Sequence, residues 1–398
     1  MIATNPLSDL LTTLLDRRPF GRKDINGQDI QNACIRLLSE RAEISGLQLA
    51  ASILSQYPML NDEQLIAFFE FLNNDLDIDA TRVAELAVEY KTDPSPETFA
   101  DLQRACEPAR QRLFRRLNEA PGATAVIVRM RRDLLKLLKE RPELAKTDHD
   151  LKRLLRSWFN RGFLVMQQVN WDSPATILEK IIAYEAVHEI HNWDDLRRRL
   201  QPSDRRCFAF FHPSMPTEPL IFVEVALTKE EFDAISETSA DTAVFYSISN
   251  CQAGLAGVSF GNSLIKQVAR DLSRDLPNLK TFVTLSPIPG FNKWLSTEGL
   301  KQDDPAKLER LVAKYLLEAK DEFGRPADPV AKFHLGNGAI VHAVHSGADT
   351  SERGMKRSSG LMVNYLYDLN RITHNATQFM KTNDIAASSA VKAQARRA

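Results

Sequence analysis

The chain has 398 residues, with 51 Lys and Arg against 52 Asp and Glu, and a formal net charge of −1. Balanced charge gives no sign of a nucleic-acid or anionic-membrane partner, although a local basic pocket for a phosphorylated ligand is compatible with it. Apolar residues make up 43% and charged residues 26% of the chain, as in ordinary globular proteins, and the length predicts two or three domains.

Residues 1–165 have the apolar spacing of helices. An Asn61-x-x-Gln64 start resembles a capping box, and it precedes four apolar residues at i, i+3, i+4 and i+7: Leu65, Phe68, Phe69 and Leu72. The segments 93–96 and 121–122 contain Pro or Gly and read as breaks between helices. The pattern predicts an all-helical bundle domain with a supporting or oligomerisation role.

Residues 166–383 predict a mixed α/β domain, so the fold class of the whole chain is α+β. The predicted strands are Cys207 to Phe211, Leu220 to Leu227, Ala243 to Ile248, Thr281 to Leu285 and Ala339 to Val344. The predicted helices are Pro174 to Tyr184, Trp193 to Leu200, Asn262 to Leu272 and about Thr297 to Arg325. Residues 384–398, rich in Ala, Ser and basic side chains, predict a loose, flexible tail.

A run of small residues from Gly254 to Asn262 leads directly into the predicted helix that follows it. Small residues let the backbone approach a ligand, and a helix N-terminus offers N–H groups and partial positive charge to an anion. The glycine spacing fits neither a Rossmann fingerprint nor a P-loop. A phosphate cradle and a plain tight turn both stay open, with the tight turn favoured.

Ser286 and His334 each lie where an apolar, strand-like run breaks at Pro or Gly. Strand ends that open into rigid loops are where folds present reactive side chains, so the two residues are a candidate acid–base pair. Taken separately, each has a plainer interpretation. Ser286 could cap local backbone in a turn, and His334 could be a buried, hydrogen-bonded structural histidine.

Features of the chain predict a cytoplasmic compartment and no metal site. No apolar run reaches the roughly 18 residues of a membrane-spanning helix, and the N-terminus lacks a signal-peptide pattern. The spacing of His342, His345 and Asp349 fits no metal-ligand pattern. The scattered cysteines predict reduced thiols rather than disulfides or zinc ligands: Cys34, Cys106, Cys207 and Cys251.

Several longer segments, in order across residues 205–370, closely resemble the malonyl-CoA decarboxylase family. They include Phe245-Tyr246-Ser247-Ile248-Ser249, Leu285-Ser286-Pro287-Ile288-Pro289-Gly290-Phe291, Phe333-His334-Leu335-Gly336-Asn337-Gly338 and Gly360-Leu361-Met362-Val363-Asn364-Tyr365-Leu366-Tyr367. The helical half, with Trp158-Phe159 and Gly162-Phe163-Leu164, also resembles that family's N-terminal domain.

The resemblance implies a catalytic domain like the GCN5-related acetyltransferase fold and a set of site residues. The family's catalytic serine and histidine fall on Ser286 and His334, and pocket-lining hydroxyls fall on Ser247 and Tyr367. The family's CoA-contacting loop falls on Ala256, Gly257, Val258, Ser259, Phe260, Gly261 and Asn262. Mammalian members carry a glutamate where this chain has Ser259, so any role of that carboxylate does not transfer.

The function implied by the resemblance is conversion of malonyl-CoA to acetyl-CoA and CO2 in a homo-oligomer, either a dimer or a tetramer. The thioester can accept the electrons, so we expect no cofactor beyond the CoA of the substrate. Two alternatives stay open. The chain could be an acyl-CoA-dependent N- or O-acyltransferase, or a non-catalytic CoA-binding protein, because one fold hosts many chemistries.

Overall fold

The computed structural model describes residues 27–185, 187–229, 233–234, 239–258, 264–300 and 304–398. The chain divides into two compact units. The first consists of Met1–Phe163, His212–Pro216 and Gln252–Val258. The second consists of Leu164–Phe211, Thr217–Cys251 and Ser259–Ala398.

The first unit is built from helices, as predicted. They are α1 (Gly27–Ser39), α2 (Glu43–Gln56), α3 (Asp62–Asn74), α4 (Ala80–Thr92), α5 (Pro96–Ala105), α6 (Ala109–Asn118), α7 (Ala123–Leu137) and α8 (Ala145–Trp158). The predicted capping box is confirmed. The Asn61 side chain accepts the Gln64 N–H at 2.8 Å, and the Gln64 side chain accepts the Asn61 N–H at 3.0 Å. Phe68, Phe69 and Leu72 of the apolar face that follows are buried, which ties α3 to the core of the unit.

The second unit contains a mixed sheet. Its strands are β1 (Val165–Val169), β2 (Arg205–Phe211), β3 (Ile221–Lys229), β4 (Asp233–Ala234), β5 (Thr242–Asn250), β6 (Thr281–Thr284), β7 (Ser286–Pro287), β8 (Ile340–His345) and β9 (Met362–Leu366). The main order is β1-β2-β3-β5-β6-β9-β7, with β4 paired to β3 and β8 paired to β9. The five predicted strands correspond to β2, β3, β5, β6 and β8.

Helices of the second unit lie between these strands in the chain, and the last two follow the final strand. They are α9 (Ala175–Tyr184), α10 (Trp193–Leu200), α11 (Leu264–Asp275), α12 (Phe291–Thr297), α13 (Pro305–Glu318), α14 (Pro329–Gly336), α15 (Glu352–Ser358), α16 (Ile372–Thr382) and α17 (Ser389–Arg396). The first two helices predicted in this half are confirmed as α9 and α10. None of the helices in the described ranges has the length and apolar character needed to cross a bilayer.

The sheet opens between β5 and β6. These strands pair in parallel from Thr242↔Thr281 to Phe245↔Thr284, where the pairing ends. Beyond that point β5 continues to Asn250 alongside β3, while the chain after β6 turns to β9 and pairs Ser286 with Val363. A crevice between diverging parallel strands, at their carboxyl ends, is where open α/β sheets bind ligands.

Two expectations from the sequence are wrong. His334 does not follow a strand-like run: it lies in the last turn of α14, whose N-cap is Asp328 and whose first residue is Pro329. Residues 384–398 are not a loose tail throughout, because α17 begins after the Ser388 N-cap and buries Val391 and Ala395. The predicted helix of about Thr297 to Arg325 is shorter than expected and corresponds to α13.

Candidate active site

Ser286 is the first residue of β7, and it follows β6 two residues beyond the last β5–β6 pair. Its Oγ donates to Thr284 Oγ1 at 2.8 Å, and the same Thr284 oxygen accepts the Tyr365 backbone N–H at 3.2 Å. All three residues are buried. The serine hydroxyl is therefore held by the sheet itself, through a threonine two residues earlier on the same face.

His334 is buried between the serine and two tyrosines. Its Nε2 lies 3.2 Å from Ser286 Oγ, and its Nδ1 lies 2.7 Å from Tyr367 Oη. The imidazole stacks on the Tyr365 ring at a centroid distance of 4.5 Å. Burial lowers the pKa of His334 to about 3, because the charged imidazolium would lose its hydration. The predicted proximity of Ser286 and His334 is confirmed, whereas their chemical roles stay predictions.

The hydrogen bonds of Ser286, His334 and Tyr367 determine which atom donates the proton in each contact. A serine hydroxyl has one proton, and the Ser286 proton goes to Thr284. The bond between Ser286 and His334 then requires an N–H at Nε2, and a neutral imidazole with that proton accepts the Tyr367 hydroxyl at Nδ1. At rest the histidine is a neutral donor facing the serine.

Asp328 joins the element that carries the histidine to the loop that follows the serine. Its Oδ1 accepts the N–H groups of Val330 and Ala331 at the start of α14, at 2.9 and 3.0 Å. Its Oδ2 accepts the Gly290 N–H at 3.4 Å. Burial raises the pKa of this carboxyl despite those donors. Sequence reasoning missed Asp328, although Asp-Pro at a helix start is a recognisable cap signal.

Ser247 belongs to a second hydrogen-bonded cluster in the same unit. Its Oγ donates to the Glu185 carboxylate at 2.8 Å, and Ser249 Oγ donates to the same carboxylate at 3.2 Å. Glu185 also accepts the N–H groups of Val187 and His188 at 2.8 and 2.7 Å. Glu185 was not predicted, and it follows α9 with no motif that would have singled it out.

The positions of Ser247 and Ser286 in the sheet are related. Each lies two residues beyond the last β5–β6 pair, Phe245↔Thr284. A β-bulge interrupts the alternation of side chains in β5, because β3 pairs Glu224 with Ser247 but Val225 with Phe245. Ser247 therefore shares a face with Glu224 and not with Phe245, whereas Ser286 keeps the face of Thr284.

Glu224 is a buried carboxyl that the sequence reasoning also missed. It is the cross-strand partner of Ser247 in β3, it is fully buried, and its Oε2 accepts Arg199 at 3.1 Å. Its Oε1 has no hydrogen-bond partner within the described part of the chain. Burial, followed by the nearby Glu185, raises the pKa of Glu224 to about 7. A single glutamate inside an apolar strand is a sequence signal for a buried carboxyl.

The predicted CoA loop is described in part. Ala256, Gly257 and Val258 belong to the first unit and follow a short 3₁₀ turn, Ala253–Leu255. Gly257 has φ of +68°, a conformation that favours glycine. Ser259, Phe260, Gly261 and Asn262 lie outside the described residues, as does the start of the predicted helix at Asn262.

Comparison with known proteins places these observations in a family. The model of the malonyl-CoA decarboxylase C-terminal domain matches residues 162–308 and 302–398, and that of the N-terminal domain matches residues 76–159. A curated mitochondrial malonyl-CoA decarboxylase of Anser anser anser is 36% identical in an alignment 348 positions long, which covers 71% of this chain and 69% of the relative.

Solved structures agree with the sequence comparisons. Malonyl-CoA decarboxylase from Rhodopseudomonas palustris is 46% identical, with a TM-score of 0.86 over 93% of this chain and 100% of that chain. The enzyme from Agrobacterium vitis is also 46% identical, with a TM-score of 0.86 over 92% and 99%. The two-part fold and the matched domains define a family of acyl-CoA carboxy-lyases. This chain belongs to the malonyl-CoA decarboxylase family.

Proposed function

We propose that this chain decarboxylates malonyl-CoA to acetyl-CoA and CO2. The observation that carries the proposal is the buried chain of hydrogen bonds from Tyr367 through His334 to Ser286. It lies where β5 and β6 diverge, in a member of a family whose relatives carry that activity in their names. A hydroxyl and an imidazole at such a crevice suit proton delivery to a carbanion.

The reaction breaks the bond between C2 and the carboxylate. The bonding electron pair moves into the thioester as an enolate, CO2 leaves, and one proton is added at C2 to give the methyl group. Because the thioester itself accepts the electrons, we propose that no cofactor is needed. The protein must then hold the carboxylate away from water, place donors near the developing enolate oxygen, and supply the proton.

His334 is the proposed proton donor. The resting imidazole is neutral because burial lowers its pKa to about 3, but a malonyl carboxylate entering the site favours the imidazolium. One proton then enters with the substrate, which is the proton that the product methyl group requires. The Tyr367 hydroxyl can turn to accept Nδ1–H in that state, because a phenol both donates and accepts.

Ser286 is the proposed contact with the reacting group. Its hydroxyl would leave Thr284 to bind the malonyl carboxylate or the thioester oxygen, and His334 would deliver the proton to C2 directly or through this hydroxyl. Ser247 and Tyr367 would line the acyl pocket. Backbone N–H groups of residues 256–262 would bind the CoA phosphates, with binding energy from the nucleotide helping to desolvate the carboxylate.

We also propose a cytoplasmic homo-oligomer, dimeric or tetrameric. The four cysteines are free thiols, which is compatible with a reducing compartment, although the curated relatives are named as mitochondrial. Helices of the first unit expose large apolar side chains that could take part in subunit contacts, among them Ile44, Val88 and Phe99.

Incubation of the purified protein with malonyl-CoA and no acceptor tests the proposal. We expect acetyl-CoA and CO2 in equal amounts, measured by chromatography and by trapped CO2. An inert mixture that becomes active when an amine or alcohol is added would point to acyl transfer instead. Tight CoA binding without turnover, unchanged in His334→Ala, would point to a non-catalytic binding protein.

A further inference from the structure

The first unit contains a cationic surface that the proposed mechanism does not use. It is formed by Lys152 and Arg156, one turn apart on α8, beside the exposed turn residue Gly257. Arg156 Nη2 donates to the Gly257 carbonyl at 3.2 Å. Lys152 Nζ lies 2.9 Å from the position that a Cβ on Gly257 would occupy, so the ammonium lies directly against this glycine.

A different arginine, Arg131, holds the turn that contains Gly254 and Ala256. Arg131 on α7 is buried, and its Nη1 donates to the Gly254 and Ala256 carbonyls at 2.7 and 2.9 Å. Its charge is matched by Asp148, whose Oδ1 accepts Arg131 Nε at 2.8 Å. Gly254 is required there, because a Cβ would lie 1.9 Å from the Val128 carbonyl oxygen. These contacts hold the turn without help from Lys152.

Lys152 therefore carries a charge that the turn does not need, and Arg156 uses one N–H of its guanidinium on the Gly257 carbonyl. In the described ranges of the chain, no carboxylate forms an ion pair with either of them, in contrast to Arg131. The Gly257 N–H likewise has no hydrogen-bond partner among the described residues. An ammonium, a guanidinium and a free backbone N–H around a glycine are the donors that bind a phosphate group.

We propose that Lys152, Arg156 and the Gly257 N–H bind a phosphate group at the nucleotide end of acyl-CoA. The identity of this ligand rests on the proposed function, whereas the anion site itself rests on the charges and the turn. Lys152 supplies a point charge above the glycine, and the guanidinium N–H groups of Arg156 not used on the Gly257 carbonyl face the same anion.

Binding and kinetics with substrates of different length test the site. We expect Lys152→Gln and Arg156→Gln each to weaken CoA binding about tenfold by calorimetry, as loss of one charge-assisted contact predicts. The value of kcat/KM should fall by a similar factor for malonyl-CoA and stay within about twofold for malonyl-pantetheine, which lacks phosphates. Lys152→Arg should retain most of the binding, because it keeps the charge.

The matched control is Arg112→Gln, which removes an exposed charge from α6 and should leave CoA binding unchanged.

Dephospho-CoA, which lacks the 3′-phosphate, distinguishes the 3′-phosphate of CoA from its pyrophosphate. If the variants bind it as well as the unmodified protein does, the site holds the 3′-phosphate; if they still bind it more weakly, the site holds the pyrophosphate. Equal losses for malonyl-CoA and malonyl-pantetheine, or unchanged CoA binding, would overturn the proposal. Because CoA binding is measured without turnover, an inactive protein would refute the proposed reaction while leaving this site testable.

Discussion

At the scale of single residues, the site depends on which atom holds each proton. Ser286 donates its only hydroxyl proton to Thr284, so the imidazole of His334 donates an N–H to the serine oxygen. A neutral, buried donor does not by itself supply the net proton that decarboxylation consumes. In the proposed mechanism, the substrate carboxylate draws this proton to the imidazole, because an opposite charge nearby favours the imidazolium.

The burial of His334 predicts a measurable dependence of stability on pH. Its pKa is lowered to about 3 in the folded protein, against about 6.5 in an unfolded chain. Below pH 6.5 the unfolded state therefore binds a proton that the folded state does not, and stability is lost as the pH falls towards 3. Above pH 6.5 the contribution is fully present.

His334→Gln removes this titration. Between pH 6 and pH 5, we expect the free energy of unfolding of the unmodified protein to fall by about 1 kcal/mol more than that of the variant. Urea unfolding at each pH measures the difference, and other titrating groups, including His188 and His212, are common to both proteins. Parallel curves would mean that the imidazole titrates normally in the folded state.

At the scale of elements, a carboxylate sets how the serine loop and the histidine helix meet. Asp328 caps α14 with one oxygen and accepts the Gly290 N–H with the other. Gly290 lies in the loop that follows Ser286, and a Cβ there would lie 2.2 Å from the Tyr315 hydroxyl oxygen. The loop and the helix are thus held together at a point outside the reacting groups.

Asp328→Ala should lower both stability and kcat. We expect a loss of about 2 kcal/mol in the free energy of unfolding, from the lost cap and the unpaired buried N–H groups, and a fall in kcat of about tenfold or more. Asp328→Asn keeps one acceptor for the cap and should lose less stability. Urea unfolding and steady-state kinetics measure both effects.

A matched control is available in the next helix towards the N-terminus. Asp304 caps α13 through the Ala306 N–H at 2.9 Å and is exposed. Asp304→Ala should cost about 1 kcal/mol of stability and leave kcat unchanged. If Asp328→Ala behaved in the same way, Asp328 would be an ordinary helix cap with no part in positioning the site.

At the scale of the whole molecule, local patterns predicted the elements better than their arrangement. The sequence predicts the α3 capping box and the strands β2, β3 and β5, because each of these segments has a local pattern of its own. The sequence does not predict the helix that carries His334. Its apolar stretch is too short for a helical period, and the one signal of a helix in this segment is the Asp328-Pro329 start.

The convergence of the site residues could not be worked out from spacing. Ser286 and His334 are 48 residues apart, and Tyr367 is a further 33 residues along the chain. They meet because β9 pairs with both β6 and β7, and because His334 at the end of α14 contacts Tyr365 of β9 and Ser286 of β7. The family resemblance identified them, whereas Glu185, Glu224 and Asp328 became visible through tertiary contacts. The sequence does not predict the C-terminal helix α17, because its Ser388 cap lies in a segment whose composition is typical of flexible tails.

Single-turnover release of labelled CO2 from malonyl-CoA, with enzyme in excess, tests the central claim most directly because it isolates the chemical step. We expect Ser286→Ala and His334→Gln each to slow this step by about 100-fold or more, with the Kd for CoA within about threefold of the unmodified protein. A variant that retains CoA binding and releases CO2 at a rate within about threefold of normal would contradict the assignment of these two residues to the reaction.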